Sequence, residues 1–313
     1  MYMVMQKQKE FDKIANLFGL ESKDLYLLLR NPDIYYCTYK IPKRSGGYRE
    51  ISSPSLKLME IQRAISKQLL EINYPPPKGC IGFIKGKNIK DNVIPHLKHP
   101  YVLKTDIKNF FPSIKKKQVQ DVFKSFGYSS KISHILATLC CKNGALPQGA
   151  PTSPIISNII MRDIDLKINE YCEKNNLVYT RYADDITISS MVSLPINFLK
   201  DLQEMLSLKN MFLNPKKTHF YGPNNKKIIT GISISSGEIK LPRKTKRMWR
   251  QEINMIKKFG ILQHMKNTHN LNPLIIPVLK GKLAFWKQIE PDNNFIFAAY
   301  KILDEAVKEL KNK

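Results

Sequence analysis

Two adjacent acids, Asp184 and Asp185, lie between two runs that are typical of strands, 177–181 and 186–189. The two runs predict a hairpin, and at its tip the paired charges repel each other where commoner turn residues such as Asn-Gly would serve. A divalent cation relieves that repulsion. Mg²⁺ prefers hard carboxylate oxygens and completes its coordination shell with phosphates and water. The pair therefore indicates a metal site that handles phosphate groups.

A site with two metal ions needs a further acid from another strand, and Asp106 is the candidate because it ends an apolar strand that begins at Tyr101. In two-metal phosphoryl transfer, ions about 3.5–4 Å apart bracket the attacking and leaving oxygens. The protein supplies position and charge rather than a covalent nucleophile. Asp163 and Asp165 fall on a predicted helix between these elements, and we interpret them as ordinary surface acids.

The composition indicates a polyanionic partner. The chain has 313 residues with 51 Lys+Arg against 26 Asp+Glu, a net charge of +25. Such an excess favours nucleic acid, with strongly salt-dependent binding. A membrane is not expected, since no apolar run approaches the roughly 18–20 residues that span a bilayer. The first residues lack the pattern of a secretion signal, so a cytoplasmic protein is predicted. Five cysteines without a CxxC pair argue against zinc and a disulfide framework.

The elements around these acids are predicted from hydrophobic periodicity and turn residues. Mixed strands and helices come first, and an all-helical basic tail follows from about residue 243, which indicates an α+β body with a helical C-terminal module. Strands are predicted at 35–40, 48–51, 101–107, 177–182, 186–190, 227–234 and 238–241. Helices are predicted within 7–30 and at 54–73, 118–126, 131–140, 151–175, 194–206, 243–259, 273–288 and 292–311.

Three segments carry a family resemblance: Asp106 with Phe111, the run LPQGAPTSP at 146–154, and YADD at 182–185. Their order and spacing resemble the palm of reverse transcriptases, over roughly residues 30–245. The resemblance implies a right-hand polymerase with fingers, a palm of antiparallel sheet plus helices, and a helical thumb. It also implies RNA-directed DNA synthesis from dNTPs, with two Mg²⁺ ions held by the three acids and Mn²⁺ as a substitute.

The predicted domains follow from that resemblance. They are an N-terminal helical segment at 1–30, fingers at 31–100, a palm at 101–242 with a fingers-like helical part at 115–145, and a basic thumb at 243–313. The thumb is assigned by position only. Because the chain ends soon after it, no fused nuclease is expected.

Several residues receive roles in nucleotide binding. Gly149 lets the backbone approach template or nucleotide closely, and by resemblance Gln148 and Gly149 lie under the incoming nucleotide. Phe111 resembles the aromatic gate that clashes with a ribose 2′-hydroxyl. Lys217, with Lys216 as the other possible register, resembles the palm lysine that acts as an acid toward pyrophosphate.

The first predicted hairpin is basic. Arg49 is expected to bind the triphosphate, since a guanidinium can do so bidentately. Lys43 is assigned to the same site, and Lys40 and Arg44 add to the charge.

Further motifs are similar to those of bacterial retron enzymes. Asn92–His96 resembles the NAxxH signature with Val93 in place of Ala, 229–231 resembles the VTG signature with Ile229 in place of Val, and Gly82-Phe83 fits the retron pattern. Candidate RNA contacts are Asn92, His96, Arg243, Lys246, Arg247, Trp249, Arg250 and Lys282, and Trp286 is placed on the same surface. Charge interleaved with an aromatic suits phosphate contact and base stacking, although Trp249 could equally be buried.

The retron resemblance implies a cognate structured non-coding RNA, synthesis from an internal guanosine 2′-hydroxyl, a branched RNA–DNA product, and anti-phage defence with a separately encoded effector protein. Two alternatives remain open. One is another defence-associated reverse transcriptase with little template guidance, and the other is a non-catalytic RNA-binding scaffold.

Overall fold

The structure is a computed structural model that describes residues 11–43, 46–72, 75–269 and 272–311. Arg44 and the first ten residues of the predicted N-terminal segment lie outside the described residues. The chain divides into two compact units. The first comprises the described residues up to Asn88, Leu103–Ile188 and Leu194–His219; the second comprises Ile89–Val102, Ser189–Ser193 and the described residues from Phe220.

The strands form three sheets. An antiparallel hairpin pairs β1 (Tyr36–Pro42) with β2 (Tyr48–Pro54). A four-stranded sheet has the order β4-β5-β3-β6, made of β3 (Tyr101–Asp106), β4 (Val178–Tyr182), β5 (Asp185–Ser190) and β6 (His219–Tyr221). A two-residue ladder pairs β7 (Ile228–Ile229) with β8 (Ile232–Ser233). The four-stranded sheet is the element on which the predicted acids lie.

The helices carry apolar stripes that build the core of each unit. They are α1 (residues 11–17), α2 (Ser22–Arg30), α3 (Leu56–Glu71), α4 (Ile89–Val93), α5 (Phe110–Ser113), α6 (Lys116–Ser125), α7 (Ser130–Cys140), α8 (Ser153–Lys174), α9 (Phe198–Ser207), α10 (Arg243–Phe259), α11 (Ile261–Asn267), α12 (Ile275–Ile289) and α13 (Asn294–Lys311).

The core of the first unit forms around α3 and α8. Ser55 caps α3 by accepting a hydrogen bond from the Leu58 amide, and the helix then buries a stripe at Leu58, Ile61, Ile65 and Leu69. Full burial of each such side chain contributes about 1.5–3 kcal/mol. The long helix α8 runs through the same core, which fixes one of its faces against the sheet that carries the acids.

The core of the second unit contains both tryptophans of the chain. Trp249 of α10 and Trp286 of α12 are buried, with ring centroids 6.1 Å apart. Gly260, at φ 76°, ends α10 in a conformation that favours glycine, and α11 follows directly. None of the helices in the described ranges is both long and apolar enough to cross a membrane.

Most predicted elements are confirmed, but the two strands predicted between residues 227 and 241 are not. The single strand predicted at 227–234 is a hairpin, since Thr230 and Gly231 both have positive φ (44° and 86°), as a tight two-residue turn requires. The strand predicted at 238–241 is reduced to one bridge between Ser233 and Lys240. The helix predicted from residue 194 begins at Phe198, after Pro195.

Candidate active site

Neighbouring strands bring the three predicted acids together. Because β5 pairs with β3, Asp185 at the start of β5 lies beside the strand that ends at Asp106. Asp184 occupies the turn between β4 and β5, after Ala183 at φ 59°. The Ile107 amide donates to the Asp184 carbonyl at 2.9 Å, which ties the turn to the end of β3. The hairpin tip and the strand end therefore form one site.

The carboxylates interact with one another. Burial raises the pKa of Asp184 to about 7, with further contributions from the charges of Asp106 and Asp185 and a hydrogen bond with the Asp106 side chain. Burial also raises the pKa of Asp185, and the charge of Lys104 opposes that shift. Asp106 is only 4% exposed. Burial is thus the main cause of the raised pKa values of Asp184 and Asp185, and the nearby like charges add to it.

Lys217 is the basic partner of Asp106. Its Nζ lies 2.7 Å from Asp106 Oδ2, and Asn214 Nδ2 lies 3.3 Å from Oδ1. Burial would lower the pKa of Lys217, but the bond to Asp106 and the charges of Asp106, Asp184 and Asp185 together outweigh that effect, and the pKa is raised. Of the two lysines considered from the sequence, Lys217 rather than Lys216 is thus placed at the acids.

The chemistry of this group suits a hard divalent cation. Three carboxylates supply oxygen donors of the kind that Mg²⁺ prefers, and the raised pKa of Asp184 reports the repulsion that a cation would relieve. Within the part of the chain that the structure describes, no group of three or more His, Cys, Asp or Glu side chains has the geometry to hold a metal ion, so the three acids are not arranged as a complete metal site in this structure. The cation beside Asp106 in this structure is the Lys217 ammonium.

Among the predicted nucleotide contacts Arg49, Lys43 and Phe111, an interaction with the acids is found for Arg49. Arg49 is exposed on β2, and its charge acts on Asp185. Lys43 is exposed at the hairpin turn, where its amide donates to the Gly47 carbonyl. Phe111 is half-buried on α5, with its ring centroid 5.3 Å from that of Phe110.

The Gln148-Gly149 loop packs against the first hairpin. The Ser52 amide donates to the Gln148 carbonyl at 2.8 Å. A Cβ on Gly149, where φ is 122°, would lie 2.8 Å from the Ser52 carbonyl oxygen. Packing against β2 therefore requires a glycine at position 149, whether or not a nucleotide also approaches the backbone there.

Asp165 is not a surface acid, and that interpretation was wrong. Asp165 and Arg181 are fully buried and bidentately paired: Arg181 Nε donates to Oδ1 at 2.8 Å and Nη2 to Oδ2 at 2.6 Å. Tyr179 also donates to Asp165, and Arg181 Nη1 donates to the Ala183 carbonyl at 2.9 Å. The pair thus holds the backbone of the turn that carries Asp184.

Asn92 and His96 do not face RNA, because both side chains are fully buried in the second unit. Asn92 Nδ2 donates to Thr230 Oγ1 at 3.3 Å, and His96 Nδ1 lies 2.6 Å from Ser189 Oγ. The two retron-like signatures therefore meet each other. Their contacts brace the second unit, which corrects the prediction that these two residues contact RNA.

Only part of the predicted basic surface is available to a ligand. Trp249 and Trp286 are buried, so neither can stack on a base. Lys282 pairs with Glu252 at 2.9 Å, and Lys246 pairs with Glu290 at 3.1 Å. The remaining predicted arginines are exposed, namely Arg243, Arg247 and Arg250. With Lys246 and Lys258 they line a groove of about 710 Å³ on α10.

Comparisons with known proteins identify the family of this chain. Residues 41–256 match the family model described as reverse transcriptase (RNA-dependent DNA polymerase). The retron Ec86 reverse transcriptase of Escherichia coli is 34% identical over 235 residues, covering 74% of this chain and 73% of that protein. The retron Ec83 reverse transcriptase of Escherichia coli is 31% identical over 293 residues, covering 85% of this chain and 86% of that protein.

A solved apo telomerase from Candida tropicalis, truncated from the C-terminal domain, has a TM-score of 0.48 at 15% identity and covers 68% of this chain and 56% of that one. The family match and the two retron relatives show that this chain belongs to the reverse transcriptases of retrons and is an RNA-directed DNA polymerase.

Proposed function

We propose that this polymerase copies part of a cognate structured non-coding RNA into single-stranded DNA by two-metal nucleotidyl transfer. The observation that carries the proposal is the meeting of Asp106, Asp184 and Asp185 at neighbouring strand ends, with Lys217 bonded to Asp106. Exposed acids alone would fit many sites. Here burial, with the charges of Asp106 and Asp185, raises the pKa of Asp184, which fits a site that binds cations and phosphate groups.

The three carboxylates would hold Mg²⁺, or Mn²⁺ in its place. When bound, the ions lower the pKa of the attacking hydroxyl and stabilise the leaving oxygen. Lys217, which is bonded to Asp106, would give a proton to the departing pyrophosphate. Arg49, whose charge lowers the pKa of Asp185, would bind the triphosphate of a dNTP. Phe111, four residues beyond Ile107 at the same strand end, would exclude a 2′-hydroxyl.

The groove on α10 is proposed to bind the phosphates of the RNA. Its cations lie on one helix face, and three of its arginines are exposed. Arginine in this arrangement binds phosphate bidentately and releases counterions from the RNA. The proposal assigns no base stacking to this groove, because the tryptophans lie in the core.

The finer retron assignment rests on the named relatives and on the two signatures that meet at Asn92 and Thr230. We propose that synthesis starts at an internal guanosine 2′-hydroxyl and yields a branched RNA–DNA molecule. We further propose that the product acts in anti-phage defence together with a separately encoded effector protein.

The test combines two variants of the full chain, each expressed with the flanking DNA of its own locus. Asp184→Asn is expected to retain co-purified RNA and to lose DNA synthesis by at least about a hundredfold, since it removes one charge at the reacting centre. Arg243→Gln/Arg247→Gln is expected to lose most of the co-purified RNA while still extending an added primer on an RNA template. Sequencing of the co-purified nucleic acid identifies the template.

Asp163→Asn is the matched control, because Asp163 is exposed and its carboxylate is 3.8 Å from Lys209. Undiminished primer extension by Asp184→Asn would refute the catalytic assignment and favour a binding scaffold. A DNA product of random or homopolymeric sequence would instead favour a defence enzyme with little template guidance. DNA joined to one defined RNA segment supports the retron proposal.

A further inference from the structure

Phe83 has a backbone conformation that a bulky residue rarely adopts. Its φ is 65°, in the left-handed region, and its side chain is 41% exposed. Such strain persists only where the surrounding structure imposes it, and it clusters at functional sites. A glycine would occupy this position without strain. The contacts of the Phe83 ring should therefore explain why a phenylalanine occupies this position.

The ring of Phe83 faces Phe111. The two centroids are 6.2 Å apart with an interplanar angle of 37°, and Phe111 also packs on the buried Phe110, with centroids 5.3 Å apart. Phe83 also lines an apolar cavity of about 290 Å³ that is bounded by Leu69 of α3 and Ile159 of α8. Removal of the Phe83 ring would join its space to that cavity and give Phe111 room to turn.

The backbone before Phe83 is fixed to the hairpin that carries the acids. The amides of Ile81 and Gly82 both donate to the Arg181 carbonyl, at 2.9 and 3.2 Å. The Gly82 carbonyl accepts from Asn158 Nδ2 at 2.8 Å. A Cβ on Gly82 would collide with the backbone of Ala183, so no other residue permits this approach. Phe83 is thus positioned by the same strand end that positions Asp184.

We propose that Phe83 is a specificity-determining residue: it holds the Phe111 ring in the orientation that excludes a ribose 2′-hydroxyl. The inference rests on the proposed role of Phe111. Phe110 supports the gate from the core, and Phe83 supports it from the exposed side. A glycine at position 83 would relieve the backbone strain but would lack the ring that holds Phe111. In this proposal the strained phenylalanine is therefore needed for the discrimination between dNTPs and rNTPs.

The test measures kcat/KM for one dNTP and its matching rNTP in single-nucleotide extension, with the full chain on an RNA template and DNA primer. Phe83→Gly removes the ring and relieves the strained φ. We expect the dNTP preference to fall about 3- to 10-fold, which is the range that one aromatic pair is worth. The thermal midpoint should change little, since relief of the strained φ opposes the loss of the ring's contacts and the greater entropy of a glycine in the unfolded chain. Phe83→Tyr keeps the ring and should keep the preference.

A double-variant cycle separates the two roles. In a Phe111→Ala background, Phe83→Gly should have no further effect on the preference, because the gate on which it acts is gone. The control is Phe297→Ala on α13, where the side chain is 50% exposed; it should leave the preference unchanged.

The outcomes distinguish this inference from the proposed function. If Phe111→Ala lowers the preference and Phe83→Gly does not, the role of Phe83 is overturned and the gate stands. Additive effects of the two changes would also overturn it. If Phe111→Ala leaves the preference intact, the gate itself is wrong. An enzyme that incorporates no dNTP at all would contradict the proposed polymerisation.

Discussion

Replacement of Asp165 by Asn removes the charge that balances a fully buried Arg181. The change keeps the shape of the side chain but breaks a bidentate pair with bonds of 2.8 and 2.6 Å and leaves an unpaired guanidinium inside the first unit. Loss of one partner from a buried ion pair costs about 3–5 kcal/mol. Since domains are stable by only about 5–15 kcal/mol, Asp165→Asn should remove a large part of the stability of this unit.

The assay is urea unfolding followed by circular dichroism. Both tryptophans lie in the second unit, so their fluorescence reports on that unit alone and serves as an internal comparison. Asp163→Asn, two residues away on the same helix, changes an acid with 65% side-chain exposure. It should shift the free energy of unfolding by less than about 0.5 kcal/mol.

The same variant should also lose polymerase activity under conditions where it is folded. Arg181 donates to the Ala183 carbonyl at 2.9 Å, so a guanidinium without its carboxylate no longer fixes the turn before Asp184. If Asp165→Asn and Asp163→Asn unfold at the same urea concentration, the structural role given to the buried pair is wrong.

Two further predictions concern stability. Burial, with the charge of His99, lowers the pKa of His96 to about 3. Between pH 6.5, the ordinary pKa of a histidine, and pH 3, the unfolded chain binds a proton that folded His96 does not. The contribution of neutral His96 to the free energy of unfolding is therefore fully present above about pH 6.5 and is lost on acidification, by about 2 kcal/mol at pH 5. His96→Gln should flatten that dependence in thermal melts at pH 5 and 8, and an unchanged slope would contradict it. Gly149→Ala should lower the thermal midpoint more than Gly144→Ala, because both glycines have positive φ but only a Cβ on Gly149 meets Ser52; equal losses would contradict the packing role.

The positions of the acids could be predicted because they follow from local rules. Strands that flank Asp184 and Asp185 predict a hairpin from alternation and turn chemistry alone. An acid that ends another apolar strand must then lie on a neighbour in the same sheet, as Asp106 does on β3. The family resemblance supplied the roles around them.

The burial of Asp165 was missed although a signal for it exists. Met161 and Ile168, four residues before and three residues after it, are buried, so helical periodicity places Asp165 on the core face of α8. Asp163 lies on the opposite face. The second signal is Arg181, a charge within a strand of buried residues. A charged residue at a core position requires a partner, and Asp165 on α8 and Arg181 on β4 lie on consecutive elements whose core faces can meet.

Other features depend on contacts between distant segments, which one sequence does not reveal. Asn92 and Thr230 are 138 residues apart, and neither segment alone indicates that the two short motifs bond to each other. The same holds for Trp249, which is buried in a core that includes Trp286 of a later helix. A basic helix with an aromatic residue is compatible with stacking on RNA and with packing on a core, and only the second helix decides between them.

The turn before Asp184 is held by buried groups rather than by its own sequence. Ala183 takes a positive φ that alanine does not favour, and three contacts impose it: the Arg181 guanidinium, the close backbone of Gly82, and the Ile107 amide on Asp184. Because the acids must stay near one another despite their repulsion, the energy that keeps them there has to come from elsewhere in the first unit. Asp165, which touches none of the three acids through a described bond, is in this sense as much a part of the site as Lys217.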